Sequence, residues 1–67
     1  MSKQYFSVIA KESKSDKWSI QFGDYDRTVA QDEADDMKES GEWAMVKVIK
    51  TAPQQAAIES AVAALNA

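Results

Sequence analysis

Sixty-seven residues, 45% of them hydrophobic and 28% charged, with a formal net charge of −3, have the composition of a small folded domain and not of a disordered chain. At this length folding buries only about 60% of the unfolded chain's surface, so the core is thin and stability marginal. With no cysteine and no histidine, disulfides are excluded and a zinc or haem site loses its usual ligands; no cofactor is expected, and self-association is the remaining source of extra stability.

Residues 4–11 alternate Phe6, Val8 and Ala10 with Tyr5, Ser7 and Ile9, the two-residue period of a strand. The polar stretch ESKSD at 12–16 reads as a turn. Residues 18–22 then give a second strand with Trp18, Ile20 and Phe22 on one face, which completes a β-hairpin. After Gly23 the pattern turns helical. Asp26 or Thr28 caps the helix, Thr28 forming a capping box with Gln31, and Gly41 ends it. Its narrow apolar stripe consists of Ala30, Ala34 and Met37, with Val29 beside them. Residues 43–50, WAMVKVIK, form a third strand. Thr51 and Gln54 make a second capping box with Pro53 in the first turn, opening a helix that carries Ile58, Ala61, Val62 and Leu65 at i, i+3, i+4, i+7. The predicted fold class is α+β: one domain over residues 1–67, a three-stranded antiparallel or mixed sheet with two helices, in the order β-β-α-β-α.

Catalytic patterns fail on these elements. The letters DEAD at 32–35 lack the phosphate-binding G-x-x-x-x-G-K-[ST] loop that a nucleotide hydrolase needs. Asp24, Asp26, Thr28, Asp32 and Asp35 echo the spacing of a calcium loop, but Val29 stands where the sharp-turn glycine is required. Paired carboxylates need a pocket that separates their proton affinities, and a sheet this small offers little depth for one. The expectation is a protein that is not an enzyme.

Charge geometry is more informative. From Asp24 to Glu42 eight acidic residues face only Arg27 and Lys38, a net of −6, while the rest of the chain sets three acids against six lysines, a net of +3. Asp32, Asp35, Asp36 and Glu39 stand at i, i+3, i+4, i+7, a row opposite the apolar stripe. Such a row is a solvated face in its plainest reading; in its sharper one it binds a basic partner, since spaced carboxylates resemble a nucleic-acid backbone. Asp24, Asp26, Asp32, Glu33, Asp35, Asp36 and Glu39 are the candidate partner-binding residues.

If Phe6, Val8, Trp18, Ile20, Phe22, Val46 and Val48 face the helices, Tyr5, Ile9, Trp43, Met45 and Ile49 point the other way. Either a helix covers each side of the sheet, or this apolar set is a self-association face, with a homodimer as the expected outcome. Tyr5 and Trp43 with Lys3, Lys11, Lys14, Lys17, Lys47 and Lys50 could also serve a nucleic-acid binder, but one arginine and no RNA-recognition motif make this the weaker reading. The apolar run near the N-terminus is too short for a signal peptide or a membrane span, so the expected location is cytoplasmic, without membrane contact.

The stretch WSIQFGDYDRTVAQDEADD resembles segments of small proteins encoded by bacteriophages and prophages. That resemblance covers about a third of the chain and transfers no functional residue; it implies a protein that binds and blocks a host factor, such as a nuclease or another defence enzyme. The combined expectation is a non-enzymatic module that engages a basic protein surface through its acidic helix. The alternatives are an assembly module using the apolar sheet face and a small nucleic-acid binder.

Overall fold

A computed structural model describes residues 4–67. Its elements are β1 (Tyr5–Lys11), β2 (Ser19–Asp24), α1 (Arg27–Ser40), β3 (Met45–Thr51) and α2 (Gln55–Asn66), the β-β-α-β-α order of an α+β fold. The sheet order is β2-β1-β3, and β1 runs antiparallel to both neighbours. The two outer strands are therefore parallel to each other, and α1 carries the chain across the central strand from one edge to the other.

Being central, β1 is buried on both faces: Ser7, Val8, Ile9 and Ala10 have no exposure. On one face Val8 packs with Ala30 and Ala34 of α1, joined by Phe6, Phe22, Met37, Val46 and Val48. Small alanines let the helix approach the sheet closely. On the opposite face lie Ser7 and Ile9, and α2 is the element left to cover them; its Ile58 and Val62 are buried.

The far end of α2 is fastened to the hairpin by one side chain. The Trp18 backbone N–H donates to Asn66 Oδ1 at 2.7 Å, and Asn66 Nδ2 donates to the Trp18 carbonyl at 3.2 Å. Asn66 thus presents an amide to Trp18 as a neighbouring strand would. The Lys11 ammonium lies over the Trp18 ring, 4.7 Å from its centroid.

Several local expectations are corrected. The second strand starts one residue later and ends two later than predicted, because the register slips between Val8 and Ile9: Val8 pairs with Phe22 but Ile9 pairs with Ile20. Gln21 is the extra residue of this β-bulge, and its amide donates to Ser19 Oγ, which donates in turn to the Ala10 carbonyl. The bulge moves Ile20 to the face opposite Phe22, where it is 42% exposed. Asp26, not Thr28, caps α1, its carboxylate accepting from the Thr28 N–H at 2.8 Å. Gln31 turns away from the expected box and donates to Asp35. Val29 is exposed and lies outside the buried stripe. Gly41 ends α1 in the left-handed conformation, φ 74°, as a C-terminal glycine should. The third strand begins at Met45, leaving Trp43 in the preceding loop. Thr51 closes β3 instead of capping α2; Gln54 stands at that cap without a side-chain bond, and Pro53 lies before the helix.

Candidate functional site: the acidic ridge and basic cleft of α1

Each residue of an α-helix turns about 100° from the last, so the 14 residues of α1 show several distinct faces. Ala30 and Ala34 define the buried one. Asp32, Asp35, Asp36 and Glu39 fall on the opposite side and are all exposed, forming a ridge about 10 Å long. Asp35 accepts from Gln31 Nε2 at 3.1 Å; no ion pair neutralises the ridge among the described residues.

The other predicted acids have local duties. Asp24 ends β2 half-buried, and its Oδ1 accepts from the Asp26 N–H at 2.8 Å; Asp26 then caps α1. Both stabilise the entry to the helix, where a carboxylate also suits the helix dipole. Glu33 sits half-buried on a flank, apart from the ridge. The calcium-like spacing of this stretch is therefore used for a turn and a cap, and no group of three carboxylates among the described residues is arranged to hold a metal ion.

The predicted apolar set does not form one exposed face. Ile9 is fully buried on the central strand and cannot belong to a docking surface; this is a correction. Tyr5 is half-buried and meets Tyr25 edge to face, centroids 5.0 Å apart. Its ring also lies against Gly23, where a Cβ would stand 2.6 Å from Tyr5 Cζ. Trp43 and Ile49 are half-buried, and Met45 alone of the set is exposed, at 45%.

One feature escaped the sequence reading. Between α1 and β3 opens a cleft of about 450 Å³. Arg27, Gln31 and Lys38 border it from α1, at positions i, i+4 and i+11 on one flank of the helix, and Lys47 and Lys50 border it from β3. Phe6, Val46 and Val48 form its apolar floor, Gln4 closes one end, and no carboxylate lines it. In the sequence Arg27 and Lys38 stand as minor offsets to the acids around them. Their 11-residue separation returns both to the same flank after three turns, which was the available signal; that β3 would stand beneath them was not. Of the lysines weighed for nucleic-acid contact, Lys47 and Lys50 reach the cleft, Lys11 is engaged by Trp18, Lys14 and Lys17 lie in the exposed hairpin loop, and Lys3 falls outside the described residues.

Compared with known proteins, the chain matches no family model, no curated protein and no solved structure. Among the described residues no helix is long and apolar enough to cross a membrane.

Proposed function

We propose that this protein is a non-enzymatic binding module that engages a basic surface of another protein through the ridge of α1. The observation that carries the reading is the exposure of Asp32, Asp35, Asp36 and Glu39 in one row, opposed to the buried alanines and without ion partners among the described residues. Like charges at i,i+4 oppose helix formation by about 0.2–0.5 kcal/mol per pair, so the row has a cost in stability that a partner's cations would offset. The resemblance to small phage proteins makes a host nucleic-acid-binding or defence enzyme, whose substrate groove is basic, a suitable partner and the cytoplasm a suitable location. Homodimerisation belongs to the same reading, with Ile20, Met45 and Leu65, exposed around α2, as its apolar contact.

Replacing the four ridge acids by Asn and Gln tests the function. Partner capture at low salt is expected to disappear while the melting temperature holds or rises slightly, because intrahelical repulsion is relieved. A variant that still captures the wild-type partners refutes the proposal.

A further inference from the structure

The cleft beside β3 opens on the edge of the sheet. Val46, Lys47 and Val48 are successive residues whose side chains leave a strand on alternate faces, yet all three border it, so the cleft follows the strand's outer edge beneath the flank of α1. Among the described residues that edge carries no neighbouring strand. It is also straight: β3 pairs with β1 from Tyr5↔Thr51 to Lys11↔Met45 without any irregularity, whereas the opposite edge, β2, is bent by its bulge. A regular, open edge offers a row of unpaired N–H and C=O groups to an extended chain.

We propose that this edge is a docking site for an extended acidic peptide segment of a partner protein, which adds to β3 as a fourth strand beneath α1. Backbone hydrogen bonds to the outer edge supply the common part of the interaction, and charge supplies the selection. Carboxylates on the peptide face beneath α1 meet Arg27, Lys38 and Lys50, and β-branched residues on its other face extend the row of Met45 and Ile49, with the aliphatic stem of Lys47 between them. A second copy of this chain is a poor occupant, because pairing β3 with β3 would bring the same cations of each molecule together. A long nucleic-acid strand is disfavoured by the carboxylate ridge on the same helix. This surface is distinct from the ridge and does not depend on it.

The test uses a capped seven-residue peptide alternating glutamate and valine. Binding is expected to shift and slow the exchange of β3 amide protons, to weaken with salt, and to fall at least ten-fold in the Arg27→Glu, Lys38→Glu double variant. A lysine–valine peptide is expected to ignore the wild type and bind that variant. Should charge reversal impair folding, Arg27→Gln with Lys38→Gln is expected to weaken binding in the same direction, by a smaller factor, in a folded protein. The proposal is overturned if the acidic peptide leaves β3 unchanged at millimolar concentration, or if its N-methylation along the bonding edge has no effect. It is equally overturned if a thymidine oligonucleotide binds the cleft more tightly than the peptide, or if β3 is already protected by dimerisation without any peptide.

Discussion

Replacing Asn66 by alanine removes both hydrogen bonds that fasten α2 to Trp18. A typical intramolecular hydrogen bond contributes a net ~0.5–1.5 kcal/mol, so the pair is worth about 1–3 kcal/mol. Both bonds are partly buried, so water can reach the freed Trp18 groups, and alanine is the better helix former; both effects move the expectation to the lower half of that range. In a domain of this size each kcal/mol lowers the melting temperature by roughly 4–8 °C. Urea unfolding followed by tryptophan fluorescence would measure the change, and hydrogen exchange at the Trp18 amide would localise it. The Asn66→Asp variant sharpens the comparison, because a carboxylate can accept from the Trp18 N–H but opposes both the Trp18 carbonyl and the C-terminal end of the helix dipole. It should be at least as destabilised as the alanine variant at neutral pH. The folded state then favours the protonated carboxyl, which can donate to the carbonyl, so its folded-state pKa is raised and stability is regained as pH falls through the carboxyl's range. An unchanged unfolding midpoint for Asn66→Ala, with Trp18 exchange as slow as in the wild type, would refute the idea that this side chain holds α2 in place.

Gly23→Ala drives a methyl group into the Tyr5 ring, and displacing that ring from Tyr25 should cost about 1–3 kcal/mol, measurable as a lower urea midpoint. Ser7→Ala should be neutral or stabilising by up to about 1 kcal/mol, since Ser7 Oγ is fully buried without a hydrogen-bond partner among the described residues and its removal leaves none of them unpaired. Gly41→Ala, where open space surrounds the new methyl but φ is 74°, should cost roughly 1 kcal/mol through backbone strain alone, a loss visible in thermal melting.

What the sequence reveals here follows the range of the interactions involved. The alternation of β1, the stop at Gly41 and the Ile58, Ala61, Val62, Leu65 period of α2 are set by neighbours within one turn or one strand, so the element order was legible. The ridge was legible for the same reason, since a helix fixes where Asp32, Asp35, Asp36 and Glu39 stand relative to Ala30 and Ala34. The bulge at Gln21 was not, because alternation through Trp18, Ile20 and Phe22 is equally regular without it; only pairing with β1 reveals the slip. The burial of Ile9 depends on its strand being central, and the Trp18–Asn66 contact on where α2 docks, 48 residues from the tryptophan it holds. The cleft needs α1 and β3 side by side, and residues 27–38 considered alone look simply acidic.

The bulge in β2 also limits how many molecules this sheet can recruit. A sheet with two straight open edges can add strands at both, and repeated addition builds filaments without a natural end. Here Gln21 bends one border and leaves β3 as the regular one among the described residues, so an extended segment can join this sheet on one side instead of two.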